Sequence, residues 1–317
     1  MNNRLPSVTV IIAARPDQAG IQAVPAARQL DYPPELLEIM VARGKQPSVQ
    51  RNTALRAARW ELVCFYDDDS VAPPGTLRQL AAHFADDRVQ VVGGPNLCPP
   101  MAPGLEKVFS LVLASWLAFG PSRARYASVG AVRETSEKEL ILCNLIARRR
   151  TLLELGGFNE ALYPNEENAL MDDIQKRGGR LLYDPACFVY RRPRGTMKAF
   201  AKMLLTYGRG RAEQFRVRPT RGSLVNFVPP LFCVFLLALP WLGKAGLLVL
   251  GIYLLAVLGQ VGVLMTYGSC WRGVAAMPFI MLTHVLYGLG FWRGLFTRLR
   301  TGGGSSSVPV QLEIIQP

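Results

Sequence analysis

Residues 223–292 hold only two charged side chains, Lys244 and Arg272, in seventy positions. A stretch this apolar is not the outside of a water-soluble domain, so the chain must fold in two different solvents. It resolves into three blocks, 224–242, 246–266 and 274–292. Each approaches the ~20 residues that a membrane-crossing helix needs. Pro229, Pro230, Pro240 and Pro278 are tolerated there, because neighbouring helices satisfy the freed backbone groups. Two to three spans are expected over 223–292. Three would put Arg293, Arg298 and Arg300 on the far side, against the positive-inside rule. Two spans plus one re-entrant or interfacial block would keep both ends cytoplasmic. Both topologies remain open.

The net charge of +13 is uneven. Between positions 191 and 221 there are ten Lys/Arg against one acid, Glu213. A basic run beside an apolar block marks a segment at the cytoplasmic membrane surface. Within it, residues 195–215 place Met197, Phe200, Leu204 and Tyr207 on one helical face beside Lys198 and Lys202. That spacing predicts a helix lying among lipid headgroups, with a plain surface helix as the other reading. No nucleic-acid recognition motif accompanies the charge, so a nucleic-acid partner is not expected. His83 and His284 are the only histidines and none of the six cysteines forms a CxxC pair. Zinc chemistry and a Ser-His-Asp triad are therefore poorly supplied, and the thiols read as reduced and structural. The first fifteen residues run straight into an apolar strand, so no secretory leader is expected.

Before the apolar region, strand-like and helix-like segments alternate. Strands are predicted at 7–14, 37–42, 60–66 and 88–94, with helices at 18–30, 48–59 and 74–84 between them. This pattern predicts an α/β fold with a doubly wound, mostly parallel sheet. A packed or interfacial helix is expected at 105–120, an Arg-rich loop at 122–138, and strands at 139–147 and 181–190.

The strand at 60–66 stops at Asp67, Asp68 and Asp69. Three adjacent carboxylates repel one another at the edge of a core. A solvated acidic turn or a helix cap would accommodate them. So would a cation, since two hard oxygen ligands plus substrate phosphate oxygens suit Mg²⁺ or Mn²⁺. In open α/β sheets ligands bind beyond the carboxyl ends of strands, where this triplet falls. A second informative stretch joins Gly156-Gly157-Phe158 to Asn165-Glu166-Glu167-Asn168. Asn165 is a fair N-cap with acids in the first turn. Capping alone would explain the two glutamates. Alternatively, one of them is a general base, kept ionised by a helix N-terminus.

Taken in order, these pieces resemble the family 2 inverting glycosyltransferases with the GT-A fold. The strand at 7–14, the loop LDYPPELLE, Arg51-Asn52 before an Ala-rich helix, the acidic triplet, Gly93-Gly94 and Gly156-Gly157-Phe158 with Asn159-Glu160 all fall in the family's sequence. The resemblance covers roughly residues 6–214 and the apolar part after it. It implies a GT-A catalytic domain over 1–194, a basic amphipathic interface segment over 195–222, a transmembrane region over 223–292 and a tail over 293–317. It further implies a hexosyltransferase-type enzyme. Asp67 and Asp69 would hold Mg²⁺ or Mn²⁺, and Arg15, Asp17, Arg51, Asn52, Asp67 and Asp68 would meet a nucleotide-sugar donor. Gly156, Gly157 and Phe158 would line the acceptor side, and Glu167 or Glu166 would be the base. A lipid-linked or glycan acceptor at the inner (cytoplasmic) membrane would follow, with the catalytic domain facing the cytoplasm.

Three departures stand out. The family usually has Glu-Asp at the base position, and this chain has Glu-Glu. The family's second strand usually ends in an acid that reads the nucleotide base, where this chain has Ala42-Arg43-Gly44-Lys45; Asp17 is a candidate substitute. The Gln-x-x-Arg-Trp motif of processive synthases is replaced by YGRGRAEQF, which favours single transfer. Two other functions compete: a polyprenyl-phosphate sugar synthase and a non-catalytic membrane scaffold on a degenerate transferase fold. The tail holds a GGGSSS linker at 302–307 and a strand-like end whose role the sequence leaves open.

Overall fold

The computed structural model describes residues 5–162, 165–217, 219, 221–267, 269–299 and 309–317. The expected linker at 302–307 and Arg300 lie outside the described residues. Mostly apolar runs form the first strands, and helices alternate with them: β1 (Val8–Ala14), α1 (Ala23–Arg28), β2 (Leu37–Arg43), α2 (Pro47–Ala57), β3 (Leu62–Asp67), α3 (Thr76–Ala82) and β4 (Val89–Gly93). Next come β5 (Asn96–Leu97), α4 (Gly104–Leu113), α5 (Trp116–Phe119), β6 (Arg133–Glu134), β7 (Leu145–Arg148), α6 (Arg149–Glu154), α7 (Glu166–Lys176), β8 (Arg180–Tyr183) and β9 (Val189–Tyr190). The remaining elements are α8 (Met197–Val217), α9 (Val228–Thr266), α10 (Cys270–Phe296) and β10 (Gln311–Ile315).

The chain divides into two compact units. The first contains residues up to 99, residues 124–191 and the described end of the chain. Its main sheet has the order β10-β2-β1-β3-β7-β4-β8-β6. β1 runs parallel to β2 and β3, and β4 runs parallel to β8. β7 is antiparallel to both β3 and β4, β6 to β8, and β10 to β2. The sheet is therefore mixed, with a parallel centre at β2-β1-β3. Strand alternation divides the core. Val8, Val10, Ile12, Cys64 and Tyr66 face Ala23 and Ala27 of α1 and Leu77 and Leu80 of α3. Ile11, Val63 and Phe65 face Leu55 of α2, Leu152 of α6 and Met171 and Ile174 of α7. With both faces covered, β1 and β3 are apolar on both sides, as parallel strands are.

Several elements differ from the sequence expectations for local reasons. The helix expected at 18–30 forms only over α1, which leaves a loop between β1 and α1. The helix at 105–120 breaks at Ser115, whose Oγ accepts from the Ala118 N–H at 3.3 Å and starts α5. The strand at 139–147 shrinks to β7, because Leu142–Asn144 forms a 3-10 turn. Residues 181–190 divide at the turn containing Pro185 into β8 and β9, and β9 pairs with β5 in a separate two-stranded sheet. The strand-like end is β10, in register with β2 (Leu312 opposite Ala42, Ile314 opposite Met40).

The second unit contains α4, α5, α8, α9 and α10. Among the described residues, α9 and α10 are the two helices long and apolar enough to cross a membrane. The blocks at 224–242 and 246–266 belong to one element, α9, broken at Gly243 (φ 54°, ψ −139°) three residues after Pro240. α8 packs along α10. A Cβ at Gly208 would collide with the Tyr287 carbonyl, one at Gly290 with that of Leu205, and one at Gly294 with that of Arg209. The packed stripe of α8 is thus Phe200, Leu204, Gly208 and Ala212, while Met197 is exposed. Phe109 of α4 stacks on Phe200 at 4.2 Å and meets Phe279 of α10 edge-on. His284 of α10 lies 2.9 Å from both the Tyr253 hydroxyl and the Leu117 carbonyl, joining α10 to α9 and α5.

Candidate active site

β1 and β3 end side by side, with Ala13 opposite Asp67, so the triplet meets the loop that follows β1. Ser70 closes the acidic turn. Its Oγ accepts from the Asp67 N–H at 3.2 Å and donates to the Cys143 carbonyl at 3.3 Å. Gln18 Nε2 donates to Asp68 Oδ2, and the Ala23 N–H donates to the Asp68 carbonyl at 3.1 Å. Arg15 Nε reaches Gln18 Oε1 at 3.4 Å. Asp17 sits in the same loop, outside this network.

Two arginines organise the carboxylates. Arg51 of α2, 6% exposed, donates from Nη2 to Asp67 Oδ1 at 2.9 Å and from Nη1 to Glu166 Oε1 at 3.1 Å. One guanidinium therefore links the triplet to the glutamate pair. On the other side Arg191, which follows β9, pairs with Asp67 Oδ2 at 3.2 Å and Asp69 Oδ1 at 2.5 Å. The first and third aspartates thus converge on one cationic group, and their mutual repulsion is offset.

Glu166 and Glu167 open α7. Asn165 occupies the N-cap position with φ 107°, a left-handed conformation that Asn tolerates better than most residues. Its side chain does not cap the helix; Asn165 Oδ1 instead accepts from Asn168 Nδ2 at 2.9 Å. Arg125 in turn donates to Asn168 Oδ1. Glu166 is 2% exposed, and its Oε2 is buried with no hydrogen-bond partner. Burial pushes its carboxyl up to about 7; the Glu167 charge adds to this and Arg51 opposes it. Glu167 is only half-buried. Of the two, it is the more accessible carboxylate.

Gly156 and Gly157 both have positive φ, 81° and 80°. A Cβ on Gly157 would run into Asn52 Oδ1. Asn52 clasps the turn: Oδ1 accepts from the Phe158 N–H at 2.8 Å, and Nδ2 donates to the Phe158 carbonyl at 2.8 Å and to Glu160 Oε1 at 2.9 Å. Phe158 is buried edge-on against Phe65 at 5.2 Å. Arg51 and Asn52, expected on the donor, are thus buried and engaged with protein groups. Phe158, expected on the acceptor side, is a core anchor for the turn.

Among the described residues no three His, Cys, Asp or Glu side chains gather as a metal cluster. Asp67 and Asp69 nevertheless present one oxygen each to a single guanidinium. They can share a ligand, and such a pair fits a hard divalent cation whose remaining oxygens come from a diphosphate. Arg191 and Gln18 were not legible as site residues. Arg191 was hidden in a basic run, and Gln18 was assigned to a helix that the chain does not form there.

A parallel-centred α/β sheet with an acidic triplet at a strand end and a glutamate pair tied to it defines a GT-A type of fold. Residues 23–129 match the family model Glycosyl transferase family 2, and the chain carries a domain of that family. It is similar to a pre-mycofactocin glycosyltransferase of Mycobacterium tuberculosis (strain ATCC 25618 / H37Rv), 26% identical over 186 residues, which are 55% of this chain and 36% of that protein. It is also similar to the succinoglycan biosynthesis protein ExoA of Rhizobium meliloti (strain 1021), 29% identical over 197 residues, 60% of this chain and 56% of the relative. The chain thus spans between about a third and about half of the length of these curated relatives. The solved mannosyltransferase PcManGT from Pyrobaculum calidifontis, in complex with GDP-Man and Mn²⁺, matches in fold with a TM-score of 0.55 at 17% identity, covering 93% of this chain and 88% of the other.

Proposed function

We propose that the chain is a membrane-bound, inverting glycosyltransferase that moves one sugar from a nucleotide-sugar to a lipid-linked or polysaccharide acceptor at the cytoplasmic face of the membrane. The observation that carries this reading is the Arg51 guanidinium held between Asp67 and Glu166. It sets a donor-side carboxylate and the start of α7 at opposite ends of one side chain. Kinship with a pre-mycofactocin glycosyltransferase and a succinoglycan biosynthesis protein supports glycosyl transfer, and the GDP-Man and Mn²⁺ of the structural neighbour support the donor class and the cation.

In this reading Asp67 and Asp69 hold Mg²⁺ or Mn²⁺. When bound, the cation neutralises charge developing on the leaving nucleoside diphosphate. Arg191, already on those carboxylates, adds positive charge at the same place. Glu167 accepts the proton of the acceptor hydroxyl as it attacks the sugar from the face opposite the diphosphate, which inverts the anomeric centre. Glu166 stays buried and fixes the first turn of α7 through Arg51. Asn52 and the two left-handed glycines hold the preceding turn. α9 and α10 cross or enter the bilayer, with the break at Gly243 dividing α9 into stretches of about 15 and about 23 residues. At 1.5 Å per residue only the second reaches the ~30 Å of a hydrocarbon core, which favours one short re-entrant or interfacial segment plus two spans.

The test is turnover by the purified full chain with a panel of nucleotide-sugars and Mn²⁺ or Mg²⁺. Asp69→Ala is expected to lower it by at least about tenfold, on the scale of a lost metal ligand. Equal turnover in Asp69→Ala would refute the cation role.

A further inference from the structure

At the edge of the first unit's sheet, β2 ends at Arg43 where an acid was expected, and a carboxylate arrives there from the other end of the sequence. β10 pairs antiparallel with β2, with Gln311 opposite Arg43 and Glu313 two residues on, on the same face. Glu313 Oε1 accepts from Arg43 Nε at 2.6 Å. The same guanidinium donates from Nη1 to the Gln18 carbonyl at 2.9 Å and to the Arg15 carbonyl at 3.4 Å. Gln18 is the residue whose amide holds Asp68 of the triplet. An unbroken relay therefore runs from Glu313 through Arg43 to the β1–α1 loop and into the acidic turn. Alongside it, Val310 lies beside Gly44 and Gln50, and Gln50 Nε2 donates to the carbonyls ending β1 and β2, Ala14 at 2.7 Å and Ala42 at 2.6 Å.

We propose that the C-terminal strand is part of the donor site, and that Glu313, acting through Arg43, is a positioning residue for the loop over residues 15–22. A carboxylate is needed because Arg43 must be aimed. Its Nε is held by Glu313, which turns the far end of the fork to the two loop carbonyls. A neutral or cationic residue at 313 would leave the fork free to rotate into solvent. The ligand's identity, a nucleoside diphosphate, rests on the glycosyltransferase reading above; the relay does not.

The experiment uses the full chain in detergent, with UDP and GDP plus Mn²⁺ as probes in titration calorimetry, and hydrogen exchange of the amides at 15–23 without nucleotide. The ion pair is part-exposed, so Glu313→Ala is expected to weaken the diphosphate that binds by roughly 1.5-fold to fivefold, the range for such pairs, and to speed loop exchange. Arg43→Ala is expected to do at least as much. Glu313→Ala on top of Arg43→Ala is expected to add nothing, as for two links of one chain. Unchanged loop exchange in Glu313→Ala, or additive losses in the double variant, would overturn the proposal. If neither diphosphate binds the unaltered chain, the donor reading fails, and the exchange arm still decides the relay.

Discussion

Glu166 offers a sharp test of the site's electrostatics, since its carboxyl is buried, half-partnered and shifted upward to about 7 from 4.5. A carboxyl whose folded-state pKa is raised holds its proton where the unfolded chain has released it. Its folded form is unburdened below about pH 4.5 and increasingly penalised as pH climbs to about 7, then levels off. At about 1.4 kcal/mol per unit, the interval of roughly 2.5 units amounts to about 3 kcal/mol as an upper bound. Glu166→Gln removes the ionisation and keeps an acceptor for Arg51, which also retains Asp67. The variant is therefore expected to match the parent near pH 5 and to exceed it above pH 7. For a unit of this size, about 3 kcal/mol corresponds to roughly 6–12 °C in melting temperature. The assay is a melting series from pH 5 to 8.5, followed by near-ultraviolet circular dichroism in detergent. A constant difference across that range, or one that shrinks as pH rises, would refute the account.

Other outcomes follow from the same geometry. Glu167→Gln should lower kcat by about 10²–10⁴ with little change in melting; retained kcat would mean the acceptor needs no base, as a phosphate acceptor would not. Gly157→Ala places a side chain on a left-handed residue and against the Asn52 clasp, so a loss of roughly 2–4 kcal/mol is expected, read by denaturant unfolding; an unaffected midpoint would argue against the clasp. Gly290→Leu should separate α8 from α10, read as lost monodisperse protein and faster proteolysis of α8, and a wild-type digestion pattern would count against that packing.

Much of the fold was legible because its signals are local. β1, β2 and β3 are mostly apolar runs, and these strands lie within a residue or two of the expected positions. The strand at 139–147 was overextended because ELILCNLIA is apolar throughout, and apolarity does not distinguish a strand from the 3-10 turn at Leu142–Asn144. The strand at 181–190 read through Pro185, where the chain leaves one sheet for another. The pairing of β10 with β2 joins residues nearly the length of the chain apart, and no periodicity reports such a partner. At the site, the acids were legible as residue types. Their organisation was not, because it depends on Arg51 and Arg191 approaching from different elements. Arg191 carried no mark among ten basic residues, and the clasp that Asn52 makes on the Phe158 turn joins elements about a hundred residues apart.

The glycine seam between α8 and α10 has a mechanical corollary. At Gly208, Gly290 and Gly294 the two helices meet main chain to main chain, so no side chain is left there to flex and absorb a displacement, and neither cylinder can roll about its own axis without climbing over the other. A push on one end of α8, 21 residues and about 31 Å long, must be delivered at its other end almost undiminished. The pair behaves as a stiff rod, and whatever bends in that unit bends elsewhere, at the break marked by Gly243.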